Sequence, residues 1–503
     1  MIYLIKKETQ ILFLKKIRFV LVSSHSNVCN MKKDNLLFLF ITILFFPIPS
    51  SGNIRLPSVI ASNMVLQQQS KVTLWGWADP AEKIIISTSW NNAIDSVVAT
   101  GDANWNIKIN TPVAGGPYTI ILKGTSTVVL ENIMIGEVWV CSGQSNMEWS
   151  SNQNLKQIID EMPNSNNNNI RLFHIPKTTS TDLQDNLEGE WKVCSAESLK
   201  GFSAIGYFFG KKLQHDLNVP IGLINASWGG TPAEVWTPAA EVYNDEELKK
   251  DAALQNKNQW WPVTPGLSYN AMVSPLTNFT ISGAIWYQGE SNTSTFVSYN
   301  KLFTTMIGAW RKAWQKDFPF YYVQIAPFQY ANKNIGALLQ EQQTKTLSYP
   351  NTGMVVITDL VDNIKDIHPK NKIDVANRLA NLALAETYKQ NIIGYKSPLF
   401  KKMEINKNKA MLFFDNAPNG FMTKDGSRST EFYIAGDDKN FLPADVKIEK
   451  DRIIVSHKQI QNPVAVRFAF SNTAMANFFS KEGLPVSPFR TDNWEVDTSK
   501  ENQ

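Results

Sequence analysis

The chain of 503 residues has little cysteine and histidine, with three of the first and five of the second. So few potential ligands leave no cluster with the spacing of a metal site, and no Gly-rich P-loop with its lysine is present. We therefore expect no cofactor and disfavour a phosphoryl-transfer enzyme. Apolar residues make up 43% of the chain and charged residues 19%, which is ordinary for a globular protein. No internal repeat is present.

Long apolar runs are absent too, except for one near the N-terminus, from Leu36 to Phe46. Two lysines precede this run and small residues follow it, which is the pattern of a secretory signal peptide over residues 31–52. Because a signal peptide normally lies at the N-terminus, we expect residues 1–30 to be an upstream extension from a misplaced start codon. The run is short for a bilayer span, so an uncleaved anchor is the weaker alternative. We expect a secreted or periplasmic protein with no integral membrane span in the mature chain.

Excess positive charge is confined to this leader. Seven of the 49 Lys and Arg residues and two of the 45 Asp and Glu residues lie in residues 1–52, so the rest of the chain carries a formal net charge of −1. No polybasic surface remains that would bind nucleic acid. Cys29 lies in the leader as well. Cys141 and Cys194 could form one disulfide, but we favour two free thiols because Cys141 lies on a predicted buried strand.

Two regions have β-type sequence throughout. Residues 54–130 contain short β-branched segments separated by Asp-Pro and Gly-Gly-Pro turn signals, which predicts a small antiparallel sandwich. The β pattern returns over residues 393–495, where we expect a second β-rich region followed by a tail at 496–503. Residues after about 494 are expected to be frayed. The predicted strands of both regions are 71–77, 83–87, 105–109, 118–122, 410–414, 432–435, 452–456 and 464–469.

Between these regions, over residues 131–392, apolar strands alternate with helices. This pattern predicts an α/β domain whose parallel sheet is covered by helices on both faces. Ligands bind beyond the carboxyl ends of the strands in such sheets, so the loops that follow the strands should carry the chemistry. The predicted elements are strands 138–141, 170–175, 221–225, 283–287, 321–325 and 354–358 and helices 203–214, 299–315 and 373–389.

Two of these loops carry a nucleophile and a base. Ser145 lies in G-Q-S-N-M after the first strand, at a turn that Gly143 permits; taken alone, it is as readily a helix N-cap. His368 lies in D-I-H-P after the last strand. Because histidine titrates near neutral pH, His368 is predicted to be the base that removes the Ser145 proton.

The other loops offer donors for the oxyanion of an acyl-transfer reaction. The candidates are the backbone N–H groups of Ser145 and of Gly229 or Gly230 in S-W-G-G-T, and the side-chain amide of Gln288 in W-Y-Q-G-E-S-N. The glycines could instead merely turn the chain, and Gln288 could satisfy buried backbone groups. Four aromatic residues flank the motifs and could stack on a sugar, although such residues more often belong to a core: Trp149, Trp228, Trp286 and Tyr287.

These four motifs, in this order and spacing, resemble the sialate O-acetylesterase family of the SGNH-hydrolase superfamily, which includes carbohydrate acetylesterases. The similarity covers roughly residues 54–495, since P-S-V-I-A-S-N-M-V-L-Q near residue 57 and V-P-I-G-L-I near residue 219 also resemble that family. It implies a flavodoxin-like three-layer SGNH-hydrolase domain over residues 131–392. It also implies removal of acetyl groups from sugar hydroxyls, with Ser145 as nucleophile, His368 as base and no metal.

The carboxylate that orients His368 is left open by the sequence. The superfamily's usual D-x-x-H would place an aspartate at position 365, where this chain has Lys365. Asp366 could serve, because in an extended loop a residue two positions away points to the same side. Glu290 lies in a motif where related acetylesterases place their acid. A serine and histidine working with only a backbone carbonyl is the third alternative.

We therefore predict a secreted α/β esterase that deacetylates an O-acetylated carbohydrate through an acetyl-Ser145 intermediate. Sialic acid is the substrate that the family name suggests. Acetylated plant polysaccharide such as xylan is the alternative, because the same core loops would serve both. A non-catalytic glycan-binding protein on a decayed hydrolase scaffold is the alternative from another class, and it would lack the nucleophile or the base. The oligomeric state is not predicted.

Overall fold

The computed structural model describes residues 53–450 and 452–501. The predicted upstream extension and signal peptide lie outside the described residues. The chain from residue 53 onward forms one unit by its internal contacts. The predicted domain limits within it, near residues 130, 392 and 495, stay predictions.

The N-terminal part folds as two β layers that share a core. β2 pairs with β5, while β3 pairs with β4 and β6, and β6 pairs with the first half of β7, all antiparallel. Trp105 on β5 is 2% exposed and packs in the same core as residues of β3 and β6, so it belongs to the core and not to a surface. The strands are β1 (Val65–Gln67), β2 (Lys71–Trp77), β3 (Lys83–Thr88), β4 (Ile94–Val98), β5 (Asn104–Asn110), β6 (Gly115–Lys123) and β7 (Thr127–Gly143).

The second half of β7 enters a central sheet whose order is β13-β12-β11-β7-β10-β8-β9. Six of these strands are parallel, as predicted, but β9 pairs with β8 in the antiparallel direction and closes one edge. The new strands are β8 (Asn167–His174), β9 (Trp191–Cys194), β10 (Ile221–Ser227), β11 (Gly283–Tyr287), β12 (Phe320–Val323) and β13 (Thr352–Val355).

Helices cover both faces of the central sheet and complete the predicted three-layer α/β fold. Because side chains alternate along β7, Trp139 and Cys141 face α4 and α9, whereas Val140 faces the core that contains α7. The Ser203 hydroxyl caps α4 by accepting the Gly206 N–H at 3.0 Å. The helices are α1 (Ser145–Glu148), α2 (Lys156–Glu161), α3 (Ala196–Leu199), α4 (Ala204–Leu217), α5 (Ala239–Tyr243), α6 (Glu246–Ala252), α7 (Tyr299–Trp314), α8 (Ile335–Lys345) and α9 (Lys372–Glu386).

Short helical turns supplement these helices in the loops between the longer elements. They are the 3₁₀ segments Ser151–Gln153, Met162–Asn164, Ala233–Trp236, Ser274–Leu276, Glu290–Ser298 and Thr346–Ser348, and the π segment Tyr269–Val273. Within the residues that the structure describes, no helix has the length and apolar character needed to cross a membrane.

The C-terminal region is β-rich, as predicted, and has a core of its own. Its strands form the sheets β14-β15-β20-β19 and β18-β17-β21-β23 and the pair β16-β22. They are β14 (Leu399–Asn406), β15 (Lys409–Asp415), β16 (Phe421–Thr423), β17 (Phe432–Ala435), β18 (Leu442–Pro443), β19 (Asp445–Ile448), β20 (Ile453–Ser456), β21 (Ala465–Phe468), β22 (Phe478–Ser480) and β23 (Phe489–Arg490).

The expected fraying of the C-terminal tail is wrong for the part that the structure describes. Lys333 N–H donates to the Ser499 carbonyl and Glu501 N–H to the Ala331 carbonyl, each at 2.9 Å. The tail is held because these backbone groups complete a short antiparallel pairing with the loop before α8.

Candidate active site

The nucleophile turn follows directly from the close approach of two strands. β7 ends at Gly143, whose φ is +135°, and a Cβ there would lie 2.2 Å from the Tyr287 carbonyl oxygen of β11. Only glycine fits this position without displacing the neighbouring strand. The Gln144 N–H then donates to the same carbonyl at 3.0 Å, and α1 begins at Ser145. The turn therefore fixes Ser145 at the carboxyl edge of the central sheet.

The structure brings Ser145 and His368 together, although they lie 223 positions apart in sequence. The Ser145 Oγ is 2.9 Å from His368 Nε2, which is a hydrogen-bond distance. His368 belongs to the loop between β13 and α9, at the same edge of the sheet. A neutral imidazole whose proton is on Nδ1 would accept the serine proton at Nε2, as a general base requires.

Of the two candidate acids, Asp366 is the one that reaches the His368 ring. Its Oδ1 lies 3.5 Å from His368 Nδ1 and also accepts the backbone N–H of His368 at 3.0 Å. Glu290 instead accepts a hydrogen bond from the Asn146 side chain at 2.6 Å, and within the described residues it makes no hydrogen bond to His368. The geometry favours Asp366 as the orienting acid.

The His368 ring is packed against Trp149. The two ring centroids are 4.2 Å apart and the planes are inclined by 18°. Burial and the nearby Lys372 ammonium lower the pKa of His368, while the Asp366 carboxylate opposes them. The net effect favours the neutral imidazole at neutral pH, which is the form that a general base needs.

Two backbone N–H groups remain available for an oxyanion. Within residues 53–450 and 452–501, neither the Ser145 N–H nor the Gly230 N–H donates a hydrogen bond. The Gly229 N–H, by contrast, donates to the Glu148 carboxylate, whose other oxygen lies 2.5 Å from Lys177 Nζ. The two free backbone donors are therefore the N–H groups of Ser145 and Gly230, while the Gly229 N–H is already bonded.

The oxyanion role of Gln288 stays a prediction, because in this arrangement its side-chain amide is bonded to other groups. Its side chain is fully buried, and its NH₂ donates to Asn292 Oδ1 at 2.7 Å and to the Thr231 carbonyl at 3.3 Å. The Tyr299 hydroxyl donates to the side-chain oxygen of Gln288 at 2.9 Å. The polar atoms of Gln288 thus bond to residues other than Ser145 and stabilise the turn after β11. The sequence had left this role, satisfying buried backbone groups, as the alternative.

Gln144 is a donor that sequence reasoning missed. Its side-chain oxygen faces the N–H groups of Gly289 and Ser291, at 3.3 and 3.4 Å. Its NH₂ makes no hydrogen bond within the described part of the chain, and Gln144 lines the cleft together with Ser145. The sequence feature that could have indicated Gln144 is its position directly before Ser145 in G-Q-S-N.

A cleft of about 440 Å³ surrounds the Ser145 hydroxyl. Trp261 forms part of its wall, because its ring packs against Gly230 so closely that a Cβ there would lie 2.3 Å from the indole. None of the lining residues is a lysine or arginine. They are Gln144, Ser145, Glu148, Trp149, Gln153, Gly229, Gly230, Trp261, Glu290, Ser291, Ile367 and His368.

Trp149 is the flanking aromatic residue that lines the cleft. Trp286 and Tyr287 are buried in the core, as the more frequent role of such residues suggests. Trp228 is partly buried, and its indole N–H donates to the Trp260 carbonyl at 3.2 Å, so it supports the loop that carries Trp261. Of the four flanking aromatic residues, Trp149 is the one in position to contact a ligand beside His368.

Sequence reasoning also missed two buried residues beneath the cleft, Asn146 and Lys372. Lys372 Nζ lies 2.6 Å from Asn146 Oδ1, and both side chains are 1% exposed. A buried lysine gives no local sequence signal, since its partners come from other loops. These two residues link the nucleophile turn to α9.

Cys141 and Cys194 are buried and unpaired, in agreement with the two free thiols favoured by the sequence. Burial raises the pKa of both thiols, that of Cys194 to about 12. They are therefore inert thiols at neutral pH. No group of three or more His, Cys, Asp or Glu side chains in the described residues is arranged to hold a metal ion.

Comparisons with known proteins agree with this geometry. A family model described as a carbohydrate esterase, sialic acid-specific acetylesterase, matches residues 135–385, which include all four motif loops. A solved structure described as a novel carbohydrate acetylesterase from Xanthomonas citri superposes with a TM-score of 0.80 at 36% identity, covering 88% of this chain and 100% of that one.

Two curated relatives are similar over most of their length. The sialate O-acetylesterase of Homo sapiens is 29% identical over 71% of this chain and 76% of its own length. The sialate O-acetylesterase of Rattus norvegicus is 26% identical over 86% of this chain and 94% of its own. The similarity therefore extends beyond the central sheet to the flanking regions.

Proposed function

Because the chain belongs to the sialic acid-specific acetylesterase family of carbohydrate esterases, and is a carboxylic ester hydrolase, we propose that it cleaves acetyl esters of sugars through Ser145 and His368. The observation that carries this proposal is the 2.9 Å contact between Ser145 Oγ and His368 Nε2 in an open cleft. A nucleophile and base already in hydrogen-bond contact need no rearrangement before attack.

The first half of the reaction transfers the acetyl group to the enzyme. Ser145 Oγ attacks the acetyl carbonyl carbon while His368 Nε2 takes the hydroxyl proton. The tetrahedral intermediate collapses as His368 returns that proton to the sugar oxygen, which leaves as a hydroxyl. The product of this half is acetyl-Ser145 and a free sugar.

The second half regenerates the serine. Water attacks the acetyl-Ser145 carbonyl while His368 Nε2 takes a proton from it, and acetate leaves as Ser145 is reprotonated. Asp366 holds the ring and stabilises the imidazolium that forms in both halves.

The negative oxygen of each tetrahedral intermediate is held by donors at the edge of the cleft. The Ser145 and Gly230 N–H groups and the Gln144 NH₂ are the free donors there. Each such donor contributes about 10²- to 10³-fold in rate where it has been measured in other enzymes. The Gly229 N–H joins them only if the Glu148 carboxylate moves away.

Sialate 9-O-acetyl esters are the proposed substrate, in line with the names of the curated relatives. One observation favours the second candidate, a neutral acetylated polysaccharide such as xylan: the cleft has no lysine or arginine to pair with a sialate carboxylate, and Lys177 beside it is bound to Glu148. Acetate release from 9-O-acetyl sialic acid and from acetylated xylan oligosaccharides, measured side by side, decides between them.

We further propose that the mature protein is secreted or periplasmic after removal of residues 31–52. The support is the apolar run with its basic start and small residues at its end. N-terminal sequencing of the protein from culture medium or periplasm tests this. A mature N-terminus near residue 53 supports the proposal, and protein that keeps the leader in the cell membrane contradicts it.

The catalytic proposal is separated from the glycan-binding alternative by one assay. We expect wild-type protein to hydrolyse an aryl acetate and Ser145→Ala to lose this activity. Absence of activity in the wild type, or equal activity in the variant, supports the non-catalytic binding protein.

A further inference from the structure

The side chain of Asn146, the residue after the nucleophile, joins three separate parts of the fold. Its Nδ2 donates to Glu290 Oε1 at 2.6 Å and to the carbonyl of Ile367 at 3.0 Å. Its Oδ1 accepts a hydrogen bond from Lys372 Nζ at 2.6 Å. Because Ile367 directly precedes His368, this amide connects the turn that carries the nucleophile to the loop that carries the base.

Only one orientation of the Asn146 amide satisfies these partners. The partners of Nδ2 are a carboxylate and a carbonyl, which accept hydrogen bonds, and the partner of Oδ1 is an ammonium, which only donates. A flipped amide would place its NH₂ against the Lys372 ammonium and its oxygen against Glu290 and the Ile367 carbonyl. Both contacts would be repulsive in a buried site.

Lys372 is buried and lies close to two aromatic rings. It lies at the start of α9, is 1% exposed, and its Nζ is 5.6 Å from the centroid of the Trp149 ring and 5.7 Å from that of Tyr287. Such positions over aromatic faces are favourable for a cation. The Trp149 ring thus has the Lys372 ammonium near it and the His368 ring stacked on it.

We propose that Asn146 and Lys372 are positioning residues for the hydrolysis: Lys372 and Glu290 fix the orientation of the Asn146 amide, and Asn146 holds the Ser145 turn against the His368 loop. This inference rests on the proposed function of Ser145 and His368. These hydrogen bonds act by fixing the positions of the Ser145 hydroxyl and the His368 ring. A displacement of about 1 Å between reacting groups can cost about 10²-fold in rate.

The same arrangement lets Lys372 act on the base through its charge. The His368 ring is faced by the Ser145 hydroxyl at Nε2, by Asp366 at Nδ1 and by the Trp149 ring. The Lys372 ammonium lies near that same Trp149 ring. Lys372 is the cation in this set, and it lowers the pKa of His368, whereas Asp366 raises it. Loss of the Lys372 charge should therefore raise the pKa of His368.

Lys372 is charged in the pH range in which its effect on His368 is measured. Burial lowers the pKa of Lys372 to about 7, so the ammonium is present over the acid limb of the activity profile, which lies below that pH. Burial also raises the pKa of Glu290. The charged groups that oppose the loss of the lysine proton are carboxylates: Glu290, Asp366 and Asp362.

A double-mutant cycle tests the proposal. Asn146→Ala, Lys372→Met and the double variant are assayed on an aryl acetate, with melting temperatures recorded. We expect each single variant to lose about 10- to 100-fold in kcat with little change in KM, because positioning is lost while the cleft is kept. We expect kcat of the double variant to be no more than about threefold below that of the less active single variant. The reason is that Asn146 and Lys372 act through the same hydrogen-bonded arrangement.

The pH profile supplies a readout that a merely structural role would not move. In Lys372→Met the acid limb of kcat/KM should shift upward by roughly half a pH unit or more, because a nearby positive charge is lost. The matched control is Lys316→Met. Lys316 is another lysine of lowered pKa; its side chain is exposed, and its Nζ donates to the Ile281 carbonyl at the opposite end of β11 from the cleft. It should leave the limb and kcat unchanged.

Asn146→Asp keeps the test decisive if Lys372→Met fails to fold. Its carboxylate can still accept from Lys372 but cannot donate to Glu290 or to the Ile367 carbonyl. We expect its kcat relative to wild type to rise as pH falls, since protonation of either carboxyl at positions 146 and 290 restores a donor between them.

Multiplicative losses in the double variant, or an unmoved acid limb together with a pH-independent defect in Asn146→Asp, would overturn the inference. These outcomes leave the proposed function standing if wild type is active and Ser145→Ala is not. An inactive wild type, in contrast, would remove the proposed function and the inference with it.

Discussion

At the scale of single residues, the proximity of Ser145 and His368 was predictable and their supporting partners were not. Ser145 follows β7 directly and His368 lies in the loop after β13, so the rule that parallel strands end at one edge placed them together. Gln288 follows a strand in the same way, but its partners Asn292 and Tyr299 come from the turn and the helix after β11 and draw its amide into the core. Packing of this kind leaves no local sequence pattern.

The choice between the two acids is testable by amide replacement. We expect Asp366→Asn to lower kcat by about 10²-fold or more, because the imidazolium loses its stabilising carboxylate. Glu290→Gln keeps an oxygen that can accept from Asn146, so we expect a loss below about tenfold. Steady-state kinetics on an aryl acetate measures both. If Glu290→Gln alone is crippled, the assignment of Asp366 is wrong.

The pH dependence of wild-type activity follows from the surroundings of His368. Burial and the Lys372 charge lower its pKa, so the neutral base persists to lower pH than for a free histidine. We expect the acid limb of kcat/KM to have its midpoint below about 6.5, the ordinary histidine value. A midpoint clearly above that value, measured on the free enzyme with an aryl acetate, would contradict this description of the site.

At the scale of elements, the strands and helices of the central sheet were predicted closely because their sequences are apolar and regular. β11 spans Gly283–Tyr287, which coincides with the prediction, and α7 ends one residue earlier than predicted, at Trp314. The antiparallel edge strand β9 was missed, since four residues give no period from which to assign it. The strand direction there is set by pairing with β8.

The turn between β7 and α1 should be intolerant of any side chain at Gly143. In Gly143→Ala the new Cβ would press on the Tyr287 carbonyl at a φ that L-residues rarely adopt. We expect the free energy of unfolding to fall by about 2 kcal/mol or more and kcat to fall with it. Chemical denaturation and aryl acetate kinetics measure the two effects.

Gly101→Ala is the matched control for this substitution. No atom lies within 4 Å of the Cβ position at Gly101, in the N-terminal β layers. Its stability and activity should stay near wild type. Equal effects at positions 101 and 143 would show that the close strand approach does not control the turn.

At the scale of the whole molecule, β7 is the element that joins the N-terminal layers to the central sheet. Its first half pairs with β6 and its second half with β10 and β11, and one hydrophobic core runs from Leu74 and Ile120 to Trp286. The sequence predicted the β region before the middle of β7 and the α/β region after it. It did not reveal that a single strand of 17 residues would belong to both.

This continuity predicts that the central sheet does not fold without the N-terminal layers. A chain that begins at Thr127 would expose the core residues that β2, β3, β5 and β6 cover, and we expect it to be insoluble or unfolded. A chain that begins at Asn53 keeps every described strand and should fold. Soluble expression and circular dichroism compare the two. A well-folded chain from Thr127 would show that the shared core is dispensable.

The central claim, that the acetyl group passes through Ser145, is tested most directly by trapping the acetyl-enzyme. Protein mixed with excess aryl acetate is quenched in acid during turnover, digested and analysed by mass spectrometry. The account predicts one added acetyl group on the peptide that contains Ser145, absent from Ser145→Ala. Full turnover in Ser145→Ala, or an acetyl group that accumulates on another residue and is turned over from there, would contradict it.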